Sequence, residues 1–147
     1  MSRLHRRLYD PGAANASLQT HLRETVADLI DMAGAERIEL VVEAADEQIE
    51  LSRLITLSML VSEVAMNSLK HAFHDRPDGR ISVAINRLDA RRLELVVSDN
   101  GGGLKITPSA TGGLGSRIVK NLGVQLGGEI KVESGPGGVT TRLAFPA

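Results

Sequence analysis

Cysteine and tryptophan are both missing from these 147 residues, and the aromatics amount to one Tyr and two Phe. Without Cys there are no disulfides and no thiolate metal sites, and a reducing compartment is permitted. So few aromatics argue against a base-stacking platform for single-stranded nucleic acid. An excess of one charge is also missing. Seventeen basic and 18 acidic side chains leave a net charge of −1, which removes the electrostatic case for nucleic acid or an anionic membrane. No apolar run is long enough to cross a bilayer, and the opening "MSRLHRRLYDPGAANAS" has no apolar signal core. A cytoplasmic chain is expected, with no nucleic acid and no direct membrane contact among its partners. Two common phosphate loops are absent as well. There is no GxxxxGK followed by Ser or Thr, and GxGxxG fails at its third glycine, where Ile118 or Ile106 would stand.

The remainder is the composition of an ordinary globular domain, 42% apolar and 24% charged, long enough to bury one core. Residues 1–16 are polar and small, with Pro11-Gly12 as a turn, and read as a linker; residues 17–147 read as the domain. Leu18, Leu22, Val26, Leu29 and Ile30 recur at helical spacing between a Ser17 N-cap and a Gly34 stop. "RIELVVEA" (37–44) alternates as a strand, and "QIEL" (48–51) reads as a short second one. Ser52 is the expected cap of a long helix ending near Phe73. "ISVAINRL" (81–88) with "RLELVVSD" (92–99), and "GEIKVES" (128–134) with "VTTRLAF" (139–145), read as two hairpins around a helix that ends near Leu126. Hairpin-paired strands with helices to cover one face predict an α+β, two-layer α/β sandwich. Its sheet is mixed, mostly antiparallel, and about three helices cover it.

Two features stand out from this frame. In "LVSEVAMNSLKHAF" (60–73), Glu63, Asn67, Lys70 and His71 fall at i, i+4, i+7 and i+8, within an arc of about 100° on an otherwise apolar helix. Glycines concentrate in "SDNGGGL", straight off a strand, and "TGGLGSRIV", straight into a helix. Glycine lets a backbone turn sharply and approach a ligand, and a helix N-terminus offers unpaired N–H groups to phosphate. Each feature alone has a plain structural reading: the stripe as a solvent face, Asp99-Asn100-Gly101 as a turn.

Together and in this order, "ExxxNxxKH" on a helix, "DNGGG" after a strand and "GGLG" before a helix resemble the N, G1 and G2 boxes of the GHKL superfamily. That superfamily comprises the ATP-binding (Bergerat-fold) domains of DNA gyrase, Hsp90, MutL and sensor histidine kinases. The resemblance spans roughly residues 17–146. "SEVAMNSLKHAF" and "GLGSRIVKNLGVQLGGEI" are most similar to bacterial histidine kinases of the HWE and HisKA_2 type, whose N box opens with Glu. "LHRRLYDPG" resembles a remnant of that subgroup's dimerisation segment.

The resemblance implies a set of roles. Glu63 is the catalytic residue beside the γ-phosphate. Asn67 ligates Mg²⁺ through its amide oxygen, and Lys70 and His71 face the phosphates. Asp99 accepts the adenine amine while Gly101 and Gly103 let the backbone pass the base. Gly113, Leu114 and Gly115 set a helix N-terminus against the phosphates. Residues 104–112 form a short lid with Lys105, Thr107 and Ser109 as contacts, and Thr140 assists Asp99. Two positions depart from the pattern: Thr111 replaces the first glycine of GxGLG, and Val139 stands where many relatives carry a hydroxyl.

The function implied is that of the ATP-binding catalytic domain of a two-component sensor histidine kinase. It would use Mg-ATP to phosphorylate a histidine on a separate dimerisation domain, with a response regulator downstream, and would itself be monomeric. "HRRLYDPG" matches only the first two residues of the subgroup's acceptor stretch, so His5 is not assigned as acceptor. A stand-alone serine kinase and binding module of the anti-sigma-factor type is the alternative, and a nucleotide-free interaction module is a third reading. Gly127-Gly128 and "GPGG" (135–138) are assigned to a helix stop and a hairpin turn, and His5, His21 and His74 to the surface.

Overall fold

The computed structural model describes residues 17–35, 37–71, 79–101 and 114–147. Helix α1 (Leu18–Met32) begins where expected: Ser17 Oγ accepts from the Thr20 N–H at 3.1 Å. Its core face is Leu18, Leu22, Val26 and Ile30, each four residues from the last. It stops in a left-handed glycine turn. Gly34 has φ +67, its N–H reaches Asp31 O, and the Ala35 N–H reaches Ile30 O at 3.1 Å. His21, assigned above to the surface, is instead buried at 4% exposure. It lies three residues after Leu18 and four before Thr25, inside the buried arc of the helix.

Strand β1 (Ile38–Ala44) leads into an irregular stretch, 45–50. The strand expected at 48–51 does not form, because Glu50 O already accepts the Leu54 N–H of the next helix, α2 (Leu51–His71). Ser52 is therefore inside the first turn of α2 and not its cap; its hydroxyl donates to Glu50 Oε1 at 3.0 Å. Strands β2 (Gly79–Arg87) and β3 (Arg92–Asp99), helix α3 (Leu114–Gln125), and strands β4 (Glu129–Gly135) and β5 (Gly138–Pro146) follow. Helix α3 ends in the same glycine turn as α1, with Gly127 at φ +90 and the Gly128 N–H on Gly123 O.

The five strands make one sheet in the order β1-β2-β3-β5-β4. Only β1 and β2 are parallel, joined by the α2 crossover; the other pairs are antiparallel, β2–β3 and β4–β5 as hairpins. Alternation along the strands gives the sheet one buried face, built from Ile81, Val83, Ile85, Leu93, Leu95, Val97, Leu143 and Phe145. Against it lie Leu57, Leu60, Val61 and Ala65 of α2, all fully buried. The opposite face is charged, with cross-strand pairs Arg80–Glu39 and Arg142–Glu94 that are exposed and contribute little stability. The two-layer α+β expectation is met.

Two arginines close the fold at its margins. The free edge of β1 is covered from α1: Arg23 donates to Val42 O and Gln19 Oε1 accepts from the Ala44 N–H, removing an unpaired edge. At the start of α2, Arg53 donates to Leu126 O at 3.1 Å and Pro146 O at 2.6 Å, with its guanidinium 5.8 Å from the Phe145 ring centroid. That one side chain ties the end of α3 and the end of β5 to the central helix.

Candidate functional site

Asp99 is the last residue of β3. Its position in the alternation turns it to the helix-facing side, where it is 8% exposed. A carboxylate in that position requires donors, and among the described residues it has three. Oδ1 accepts the Gly101 N–H at 3.0 Å and the Val139 N–H at 3.2 Å; Oδ2 accepts the Ser68 hydroxyl at 2.8 Å. The chain leaving β3 is pinned as well, since the Arg80 N–H donates to Asn100 Oδ1 and the Asn100 N–H to Arg80 O. Among the described residues Oδ1 accepts from two peptide donors and Oδ2 from one, so Oδ2 keeps the greater capacity to accept another. An ionised carboxylate accepts only, so the group it suits is an N–H donor such as an exocyclic amine.

Gly138 fits this site by lacking a side chain. It opens β5 at φ +128, and a Cβ there would lie 1.9 Å from Asp99 O. The "GPGG" segment, assigned above only to a turn, therefore also shapes the site.

Helix α2 brings the rest. Ser68 is buried and bonded to Asp99, which places the Asn67–Ser68 turn of α2 over the end of β3. Asn67 and, one turn earlier, Glu63 are half-buried, and among the described residues neither has a hydrogen-bond or ion-pair partner. Lys70 and His71 are exposed in the last turn, where positive charge suits the helix dipole. Leu114 and Gly115 open α3, which packs beside α2. Gly103 and Gly113, the lid contacts Lys105, Thr107 and Ser109, and Thr111 lie outside the described residues.

Thr140 is not brought to the carboxylate. It pairs with Ser98, whose side chain is on the opposite face of the sheet from Val97 and Asp99. The hydroxyl on the Asp99 face of β5 belongs to Thr141, which is buried. Sequence reasoning also passed over Ser68. The signal was available: Ser68 is four residues after Val64 and seven after Val61, on the buried arc of α2, where a hydroxyl needs a partner.

The donor set limits what metal the site could take. Among the described residues no group of three or more His, Cys, Asp or Glu could hold an ion. One amide oxygen, that of Asn67, suits a hard ion whose other ligands are water and phosphate oxygens.

Residues 52–147 match the family described as histidine kinase-, DNA gyrase B-, and HSP90-like ATPase. Over 120 residues the chain is 35% identical to Blue-light-activated histidine kinase 2 of Erythrobacter litoralis (strain HTCC2594), covering 80% of this chain and 34% of that one. The chain thus spans about a third of that relative's length. The histidine kinase domain of the Erythrobacter litoralis EL346 blue-light-activated histidine kinase superposes with a TM-score of 0.78 at 30% identity, over 88% of this chain and 61% of that one. The mycobacterial sensor histidine kinase MprB, at 23% identity, shares the fold with a TM-score of 0.68 over 89% of this chain and 95% of that one. Asp99 in its cradle, the α2 stripe and these matches agree: the chain belongs to the histidine kinase-, DNA gyrase B- and HSP90-like ATPase family, whose domain binds ATP, and its relatives named here are histidine kinases.

Proposed function

We propose that this domain binds Mg-ATP and passes the γ-phosphoryl group to a histidine on a separate dimerisation domain, as the catalytic half of a sensor histidine kinase serving a response regulator. The observation that carries the reading is the Asp99 carboxylate. It is buried and, among the described residues, held by three donors, with Oδ2 accepting from one of them, directly beneath the α2 turn that bears Asn67.

On this reading Asp99 accepts the exocyclic amine of adenine, and Gly101, buried beside it, lets the base lie against the backbone. The N–H groups at the start of α3, from Leu114 and Gly115, point at the phosphates with the positive end of the helix. Lys70 adds positive charge from the end of α2, and His71 faces the phosphates beside it. Asn67 would hold the metal ion by its amide oxygen, and the ion would supply charge neutralisation on the phosphate oxygens. Glu63, a turn before Asn67, orients the incoming imidazole and accepts its proton. The nitrogen–phosphorus bond forms as the bond to the bridging β–γ oxygen breaks, and ADP leaves with that electron pair. The work of the protein is positioning and charge stabilisation.

Calorimetric titration with a non-hydrolysable ATP analogue, with and without Mg²⁺, tests this. Mg²⁺-dependent binding that Asp99→Asn weakens is the expected result. A wild-type protein that binds no nucleotide would overturn it. The relatives named above are histidine kinases, which favours this reading over the serine-kinase alternative.

A further inference from the structure

The two edges of the sheet are treated differently. That of β1 is covered from α1 by Arg23 and Gln19. That of β4, among the described residues, meets no strand but β5. It also carries none of the common devices that blunt an edge: no proline from 129 to 135, no bulge in its register with β5, and a full seven residues of length.

The ladder fixes which backbone groups of β4 face outward. The Ala147 N–H on Arg91 O continues the β3–β5 register, so the odd-numbered residues of β5 bond β3 and the even-numbered ones bond β4. There they meet Glu129, Lys131 and Glu133, which leaves the N–H and C=O of Ile130 and Val132 pointing away from the sheet. On the helix side this edge is apolar. Val132 is 42% exposed, and Val124, one residue beyond the Gly123 that abuts Ile130, is 70% exposed. On the open face stand Glu129, Lys131 and Glu133, all exposed and without an ion-pair partner among the described residues.

Val132 is the midpoint of β4. When two copies of the strand pair antiparallel about it, each Lys131 stands opposite Glu133 of the other copy on the open face, and the two Val132 side chains meet on the helix side. The outward backbone groups of the two Val132 residues then bond each other. Centring the pair on Lys131 would oppose lysine to lysine and Glu129 to Glu133. Centring it on Glu133 would oppose acid to acid, and centring it on Ile130 would run each strand past Gly128, where β4 has ended. The strand is complementary to itself in one register. From this we infer that the β4 edge is an interface between two copies of this chain, joining their sheets into one. It departs from the monomer expected above and does not depend on the nucleotide reading.

Sedimentation of the whole chain from about 1 μM to about 1 mM tests this. An edge-to-edge contact is smaller than a standard interface, so a dissociation constant up to about 100 μM is expected. Lys131→Glu and Glu133→Lys, both at exposed positions that should not disturb folding, each set like charges opposite one another twice. Each should weaken the dimer at least about tenfold. An equimolar mixture of the two variants should associate like the wild type, because acid then faces base at both positions. A wild type that stays monomeric at about 1 mM would overturn the inference. So would charge variants that dimerise like the wild type, or a mixture of them that stays monomeric.

Discussion

Ser68 on α2 donates its hydroxyl to Asp99 Oδ2 at 2.8 Å, across 31 residues of sequence, and so locks the central helix to the end of strand β3. Removing the donor in Ser68→Ala leaves a buried carboxylate oxygen short of a partner. That should cost about 1–3 kcal/mol of stability and lower nucleotide affinity several-fold. Urea unfolding and calorimetry on the same variant read the two effects; an unchanged unfolding midpoint would remove Ser68 from the site.

Asp99→Asn should fold. Its oxygen can keep the Gly101 and Val139 donors, and its amide can donate to the Ser68 oxygen in place of the present bond. On the proposed reading it loses a carboxylate acceptor for the adenine amine, worth about 1.5–3 kcal/mol, or roughly tenfold to a hundredfold in affinity. An affinity within twofold of wild type, measured by calorimetry, would contradict the assignment.

Gly138→Ala should be among the most damaging alanine substitutions in the chain. Its Cβ would meet backbone at 1.9 Å, at a φ of +128 that L-residues avoid. A loss above about 2 kcal/mol is expected. Gly137→Ala, with nothing within 4 Å of the new carbon, is the matched control and should unfold close to wild type in urea.

Arg53→Met keeps the aliphatic stem but removes the donors to Leu126 O and Pro146 O. Hydrogen bonds from a charged group are worth about 1.5–3 kcal/mol each when buried and less at a partly open margin, so a loss of about 2 kcal/mol is expected. Hydrogen exchange should show the end of β5 opening before the rest of the sheet; uniform protection would refute the tie.

Asp89, in the β2–β3 turn, is held below the ordinary carboxylate range. The Arg91 N–H contributes most, then the Arg92 side chain, both donating to it. A lowered native value means its stabilising effect is present above the unfolded-state value and fades as pH falls through the native one. The group is fully exposed, so the effect is small. In paired urea melts, Asp89→Asn should lie below wild type at pH 7, with the gap narrowing as the pH falls below the ordinary carboxylate range. A gap that widens on acidification would reverse the sign.

The parts of this molecule that are local in sequence could be read from it. Ser17 caps α1, Gly34 and Gly127 stop their helices, and both hairpins fall where the alternation put them. Asp99 stood out because "DNGGG" is contiguous, and the α2 stripe because it repeats at helical period. What escaped depends on register or on contacts between distant segments. Whether Thr140 or Thr141 shares a face with Asp99 is decided by the pairing of Ser98 with Thr140. Gly138 and Asp99 meet only once β5 is seated against β3. Ser52 has the residue type of a cap, but the carbonyl that starts α2 is that of Glu50. His21 has the polarity of a surface residue, but its spacing puts it in the buried arc.

The strand order carries a consequence for synthesis on the ribosome. Among the described residues β4 pairs with no strand but β5, and β5 must slot between it and β3, which left the ribosome about forty residues earlier. Until then β3 is an edge, β4 is an orphan whose Glu129, Lys131 and Glu133 keep it in water, and Asp99 lacks the Val139 donor. Translation order thus withholds the carboxylate cradle from every nascent intermediate, and a chain broken off before Gly138 carries the motifs of a nucleotide site without the site.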